Sequence, residues 1–141
     1  MKLISHKNLI YKITPMIICI KLKRFGKMSI VMKEKEIDWG PHPTVKDVKI
    51  KPLLTKKDHK TDMTVVLVNV KEDVIVPEHI HDEQDDILYV LSGKGKMWVD
   101  GIGEFELQKG KLVRVLKGTK HKIYDVKENL LIYDIFIPAT I

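Results

Sequence analysis

The sequence predicts an all-β domain folded as an antiparallel sandwich or barrel, and two observations carry that prediction. From about residue 36, short segments rich in Val, Ile, Leu and Tyr alternate with turns containing Gly, Asp, Lys or Pro. Many short strands at regular spacing are typical of sandwiches and barrels. In addition, no segment after residue 40 keeps the apolar period of about 3.6 residues that an amphipathic helix shows.

The strands are predicted in chain order from their runs of β-branched and aromatic residues. They cover residues 46–51, 63–70, 74–76, 78–82, 87–92, 95–99, 104–108, 112–116, 121–126 and 130–137. Asp100-Gly101 predicts a two-residue hairpin, because glycine takes the positive φ that a tight primed turn requires. Pro77 stands where a strand begins, so its missing N–H costs little. Further turns are predicted at Ser92-Gly93, Lys109-Gly110 and Lys117-Gly118.

Composition narrows the class of protein. The chain has 141 residues, of which 44% are hydrophobic and 31% are charged. These values fit one globular domain rather than a membrane bundle or a disordered chain. The single cysteine, Cys19, excludes an intramolecular disulfide framework and the zinc sites that need two or four cysteines. Because such cysteine usage suits a reducing compartment, we expect a cytoplasmic protein.

The positive charge is confined to the start of the chain. Residues 1–33 carry eight lysines and arginines and no acidic residue, whereas the rest carries 17 basic and 19 acidic residues. Nucleic-acid-binding domains usually have a basic folded surface, so nucleic acid is not predicted as a partner. Residues 38–141 are predicted as the folded domain. Residues 1–33 are predicted as a basic extension, either poorly ordered or produced by a translation start placed too early.

The extension has two alternative interpretations. Its apolar stretch, residues 13–20, is far shorter than the ~20 residues that span a bilayer. A secretory signal and a basic amphipathic membrane anchor remain the alternatives, but Lys and Arg at 21–24 occupy the place of a cleavage site. Membrane contact is therefore not predicted. Met28 and Met32 could each begin the chain, and a protein begun at Met32 is expected to keep its thermal stability.

Two segments carry the residues with the most distinctive chemistry. In the first, His79 and His81 lie two residues apart on a predicted strand, so both side chains project from one face, and Asp86 follows them. In the second, His121 begins another predicted strand. Imidazole is the commonest protein ligand of divalent transition metals. The spacing therefore predicts a metal site that draws ligands from both segments.

These segments resemble the paired motifs of the cupin superfamily, and the chain is identified as a small single-domain (type 2) cupin. The first motif, two histidines, an acid and a glycine, is matched by His79, His81, Asp86 and Gly93. The second, two glycines, a histidine and an asparagine, is matched by Gly110, Gly118, His121 and, in place of asparagine, Asp125. The resemblance covers about residues 38–141 and implies a double-stranded β-helix, the jelly-roll barrel of cupins. It also implies the metal ligands His79, His81, Asp86 and His121.

The chain departs from the family pattern at three positions. Asp86 stands where the family prefers Glu, Leu116 replaces a proline, and Asp125 replaces the asparagine. Because Asp86 is one methylene shorter, it could bind the metal directly, bind through water, or leave a three-histidine site. Nitrogen and oxygen ligands suit one divalent ion of Fe, Mn, Ni, Zn or Cu and do not choose among them.

Strand alternation predicts the lining of a pocket around the metal. Leu88 and Val90 are in step with Asp86, and Ile123 and Asp125 are in step with His121. A mostly apolar pocket around one charged centre is typical of small-molecule sites. The remaining acidic residues of the first segment, Asp82, Glu83 and Asp85, are interpreted as a solvated loop, and His42 is interpreted as a surface residue.

The resemblance implies a metal-dependent enzyme of the dioxygenase or isomerase type. Its substrate would be a small oxygenated or anionic molecule bound at the metal. A non-catalytic module that binds or senses a small ligand is the alternative, since one fold serves many functions. The apolar run at residues 130–137 would leave every second side chain uncovered on the outside of a barrel. A homodimer is therefore predicted.

Overall fold

The computed structural model describes residues 31–141, and these form an all-β domain, as predicted. The only helical segments in this range are a 3₁₀ turn at Glu34–Glu36 and a four-residue helix, α1, at Lys56–His59. Neither is long and apolar enough to cross a membrane. Residues 1–30 of the predicted extension lie outside the described range. The strands are β1 (Gly40–Pro41), β2 (Val48–Leu54), β3 (Thr64–Val70), β4 (Val76–His79), β5 (Asp85–Val99), β6 (Gly103–Gln108), β7 (Leu112–Val115) and β8 (His121–Ile137).

Two long strands, β5 and β8, organise the sheet. They pair antiparallel with each other. The C-terminal half of β8 also pairs with β3, and its N-terminal end pairs with β4. On its other side β5 pairs with β6 and β7. β2 continues the sheet beyond β3, and the short β1 lies at its edge. All of these pairings are antiparallel. The pairing of β4 with β8 places the end of β4 beside the start of β8.

The sequence predicts each long strand as two shorter ones, and that prediction is wrong. The register of β5 on β8 shifts repeatedly between Val90 and Lys96. Within β8, Asp125 adopts a left-handed backbone with a φ of 49°. Irregularities of this kind bend a strand without ending it. The glycines and polar residues at the predicted breaks therefore mark bends in continuous strands.

Inward-facing apolar side chains from most of the strands build the core. In the C-terminal half of β8, Leu130 and Ile132 are buried, whereas the alternate residues Leu131 and Tyr133 are partly exposed. Burial of each methylene contributes about 0.8 kcal/mol, so this inward-facing apolar set is the main source of stability. Its members are Val48, Val70, Val76, Leu88, Val90, Met97, Val99, Leu107, Val115, Ile123, Val126, Leu130 and Ile132.

Two local features differ from the sequence prediction. The turn between β5 and β6 spans residues 100–102 rather than two residues, because Val99 pairs with Gly103. Gly101 and Gly103 both have positive φ, as in three-residue hairpins that end in a bulge. The helix α1 was not predicted, because four residues are too few to show a helical period. Thr55 caps it, and the hydroxyl oxygen of that residue accepts the Asp58 N–H at 3.1 Å.

Gly93 offers a direct test of this packing. Its φ is 92°, and a Cβ there would overlap the carbonyl oxygen of Asn129 and lie 2.8 Å from Cα of Leu130. We therefore expect Gly93→Ala to lower the free energy of unfolding by about 3 kcal/mol or more, from backbone strain and overpacking together. Gly101→Ala is the control, since Gly101 has a φ of 78° and no atom within 4 Å of its added Cβ. Gly101→Ala should lower the free energy of unfolding by only about 1–2 kcal/mol. Equal losses of unfolding free energy in the two variants, measured by urea unfolding, would contradict this account of the packing.

Candidate metal centre

The pairing of the end of β4 with the start of β8 brings two of the predicted histidines together. His79 is the last residue of β4 and pairs directly with His121, the first residue of β8. His81 lies two residues beyond β4, so the prediction that one strand carries both His79 and His81 is wrong. The carbonyl of His81 instead accepts the N–H of Gly118 at 2.7 Å. That bond ties the loop before His121 to the loop that carries His81.

Hydrogen bonds on the outer ring nitrogens fix two of these imidazoles. Nδ1 of His79 lies 2.8 Å from the carbonyl of Pro77, and Nδ1 of His121 lies 3.0 Å from the carbonyl of Thr119. A carbonyl only accepts, so each Nδ1 carries a proton, and in the neutral ring each Nε2 then presents a lone pair. The same arrangement orients histidines that bind metals. The Nε2 of His121 is buried and has no hydrogen-bond partner among the described residues.

The histidine geometry fits one metal ion. His79, His81 and His121 each offer a nitrogen, and these nitrogens all lie within 4.8 Å of one another. Two nitrogens on one ion, each ~2.1 Å away, are at most ~4.2 Å apart, so small rotations of the rings complete the site. Burial lowers the pKa of both His79 and His81, which keeps these rings neutral at pH 7. Neutral imidazole is the form that binds metal.

Asp86 lies between two of the three imidazoles. Its Oδ2 is 3.4 Å from Nε2 of His121 and 3.7 Å from Nε2 of His81, and its Oδ1 is buried with no hydrogen-bond partner within residues 31–141. Burial alone would raise the pKa of this carboxyl, but His121 and the neighbouring Asp134 outweigh that effect and lower it. Burial also lowers the pKa of His121, whereas Asp86 and the Thr119 carbonyl raise it more. A buried carboxylate therefore lies beside two of the three histidines that could share a metal ion.

Two further residues of this region were missed by the sequence analysis. Asp134 is buried beside Asp86, and burial together with the Asp86 carboxylate raises the pKa of Asp134 well above its ordinary value. The sequence does indicate that Asp134 faces inward, because it is in step with the inward residues Leu130 and Ile132. His42, predicted at the surface, is half-buried and lines the same cavity. Its Nδ1 accepts the N–H groups of Thr44 and Val45 at 3.2 and 3.1 Å.

The cavity beside this centre has a volume of about 540 Å³. Of the predicted lining residues, Leu88 and Ile123 line it together with the three histidines and Asp86. Val90 and Asp125 are not among its lining residues. Val90 lies one step deeper in the packed core. The left-handed backbone at Asp125 interrupts the alternation, and that side chain forms ion pairs with Lys127 and Lys96.

The acidic loop before Asp86 is more structured than predicted. The carboxylate of Asp85 accepts two hydrogen bonds from Arg114, from Nη2 at 2.6 Å and from Nε at 3.1 Å. Its other oxygen accepts the N–H of Lys117 at 3.0 Å. Arg114 and the Lys117 N–H together lower the pKa of Asp85. Asp85 therefore holds the loop that leads to His121 and is not simply a solvated charge.

Comparison with known proteins identifies the family. Residues 66–136 match the family described as the cupin domain. The chain belongs to the cupin family. The predicted resemblance is thereby confirmed, and the structure explains the motif glycines, because Gly93, Gly110 and Gly118 all have positive φ that other residues rarely adopt. A search of the curated proteins found no match.

Solved structures support the predicted fold of this cupin. KdgF from Halomonas sp. is similar, with a TM-score of 0.64 and 22% identity over 75% of this chain and 92% of its own. A predicted oxalate decarboxylase from Thermotoga maritima is similar with a TM-score of 0.68 and 19% identity, over 77% of this chain and 99% of its own. Ectoine synthase from P. lautus is similar with a TM-score of 0.68 and 19% identity, over 78% of each chain. Identities this low bear on the fold alone, and the predicted double-stranded β-helix is confirmed.

Proposed function

We propose that this cupin is a metal-dependent enzyme acting on a small oxygenated or anionic molecule, by dioxygenase or isomerase chemistry. The observation that carries the proposal is the grouping of three imidazole nitrogens within 4.8 Å of one another beside the cavity, with the buried Asp86 carboxylate next to two of them. Buried polar atoms that lack partners are costly, and among the described residues such atoms belong to Asp86, His121 and Asp134, all in this region. Groups kept in that state are typical of functional sites.

Each residue of the site has a distinct role in this proposal. His79, His81 and His121 hold one divalent ion of Fe, Mn, Ni, Zn or Cu, with Asp86 as the fourth ligand. The ion would supply a Lewis acid for substrate oxygens or, if it is iron, a site for O₂. The carboxyl of Asp134 holds a proton beside the substrate. Leu88, Ile123 and the other apolar residues of the cavity exclude water from the bound molecule.

Elemental analysis of anaerobically purified protein is the first test. We expect about one transition-metal ion per chain, and a spectrum of the site then separates iron or copper from zinc or manganese. O₂ uptake and isomerisation are next measured over a panel of small acids and carbonyl compounds. Protein that binds no metal under these conditions overturns the proposal. Metal and ligand binding without turnover would favour the alternative, a non-catalytic module that binds or senses a small ligand.

A homodimer remains a prediction for the outer face of β8. Leu131, Tyr133 and Ile135 are partly exposed there, and Ile137 is exposed. Covering them in a symmetric dimer would remove apolar surface from water. Light scattering at micromolar concentration should therefore give twice the chain mass. Tyr133→Lys should produce a monomer, whereas Leu112→Lys, at an exposed position on β7, should not. A monomeric wild-type protein would show that this face needs no partner.

A further inference from the structure

The side chains that line the cavity away from the metal centre are mainly apolar. None of the described residues that line it is a lysine or an arginine. Lys51 is buried nearby in the sheet, but it lies outside the lining and is paired with Glu34. The lining away from the metal centre is dominated by aliphatic side chains, among them Val48, Ile50, Val66, Val68 and Ile132. A phosphate or a second carboxylate on a ligand would find no counter-charge on these walls.

Two polar side chains of the lining away from the metal centre, Thr64 and His42, already form hydrogen bonds within the protein. The Thr64 hydroxyl donates to the Ile141 carbonyl at 3.1 Å and accepts the Thr140 N–H at 2.9 Å. Nδ1 of His42 is taken by the N–H groups of its own loop. In the described part of the chain, the fully buried side-chain atoms without a hydrogen-bond partner belong instead to Asp86, His121 and Asp134, all at the proposed metal centre. A ligand's hydrogen-bonding groups are therefore satisfied at that end of the cavity.

Charge sets a further limit at the metal centre. A divalent ion beside the Asp86 carboxylate leaves a net charge of +1, and Asp134 adds no positive charge. One negative charge on the ligand neutralises this centre, whereas a dianion would leave a buried excess of negative charge, which is costly.

From these observations we infer the substrate class: a molecule with one oxygen-bearing head of charge −1 or 0 at the metal and an aliphatic or aromatic body along the valine-lined wall. This inference rests on the proposed function for the position of the head. Sugar phosphates, polyhydroxylated acids and dicarboxylates fall outside the class. Hydroxyl groups along an aliphatic wall would lose their hydrogen bonds to water without replacement.

Matched probes of four and six carbons test the inference on the full chain loaded with zinc. Dissociation constants are measured by protein-observed NMR titration for butanoate, hexanoate, hexanedioate and gluconate. Each buried methylene should tighten binding about fourfold, so hexanoate should bind about fifteenfold more tightly than butanoate. Hexanedioate and gluconate should bind at least tenfold more weakly than hexanoate. Equal affinity for butanoate and hexanoate, or tighter binding of gluconate or hexanedioate, overturns the inference.

Neutral alcohols separate this inference from the proposed function. In the metal-free protein, and in His121→Ala, 1-hexanol should still bind more tightly than 1-butanol, because the wall does not depend on the metal. If the wild-type protein binds no metal but keeps this chain-length gain, the proposed function fails and the apolar wall stands. If the alcohols show no gain, the wall inference fails whatever the metal content.

A pair of variants on one strand locates the wall. Val68 lines the cavity, whereas Val65 is buried on the same strand outside the lining. Val68→Thr keeps the side-chain shape and adds a hydroxyl, so hexanoate affinity should fall several-fold while metal content stays unchanged. Val65→Thr should leave hexanoate affinity unchanged. Equal effects of the two variants would contradict this placement of the ligand body.

Discussion

Replacing His121 by alanine should remove most of the bound metal from the purified protein. His121 is buried, and its Nε2 lies within 4.8 Å of a nitrogen of each of the other two imidazoles with no hydrogen-bond partner among the described residues. Mutation of an outer partner of a metal ligand alone costs about 10–100-fold in affinity. Loss of the ligand itself should therefore cost at least ~100-fold. Metal per chain, measured after dialysis against a weak chelator, should fall from about one to under a tenth.

His42→Ala is the matched control for that measurement. His42 lines the same cavity, but its Nδ1 is occupied by the N–H groups of Thr44 and Val45. We expect this variant to keep its metal. Thermal unfolding gives a second measurement, because an ion that binds only the folded protein raises the melting temperature. Added zinc should stabilise the wild type and His42→Ala but not His121→Ala. Full metal retention by His121→Ala would show that His121 is not a metal ligand.

The fold was predictable because its determinants are local and repetitive. Alternation and turn residues mark most strands of the barrel, and β3, predicted at 63–70, spans Thr64–Val70. The continuity of β5 and β8 was not predictable, since a bulge and a turn use the same residues. Gly93 illustrates the difficulty: it has a φ of 92° within a strand, where the sequence predicts a turn.

The candidate site was predictable only in part, for a related reason. Histidine spacing and motif order indicate His79, His81 and His121, and the structure brings these three together. Asp134 lies outside both motifs; strand alternation marks it as facing inward, but only the pairing of β8 with β5, with Leu88 opposite Asp134, brings it beside Asp86. His42 comes to the cavity through the loop after β1. Contacts made by sheet pairing rather than by spacing are not visible in one sequence.

Replacing Asp86 by alanine should separate a four-ligand centre from a three-histidine centre. Its Oδ2 lies 3.4 and 3.7 Å from two imidazole nitrogens. Ligands that share one ion at ~2.1 Å in tetrahedral geometry are ~3.4 Å apart, which is close to these two distances, so we predict that Asp86 is a direct ligand. We therefore expect Asp86→Ala to lose metal about as completely as His121→Ala. Metal content near one per chain in Asp86→Ala would instead leave the ion to the histidines.

Two companion variants make the Asp86 result interpretable. Asp134→Asn removes the neighbouring carboxyl, which forms no ion pair with the site histidines among the described residues, and should keep its metal. Asp86→Asn should lose metal and unfold, without metal, at or a little below the temperature of the metal-free wild type. Its amide keeps the side-chain shape but removes the ionised carboxylate that His121 and Asp134 stabilise. A metal-free Asp86→Asn that unfolds at a much lower temperature would mean that Asp86 supports the fold. Metal loss in that variant would then reflect unfolding rather than a missing ligand.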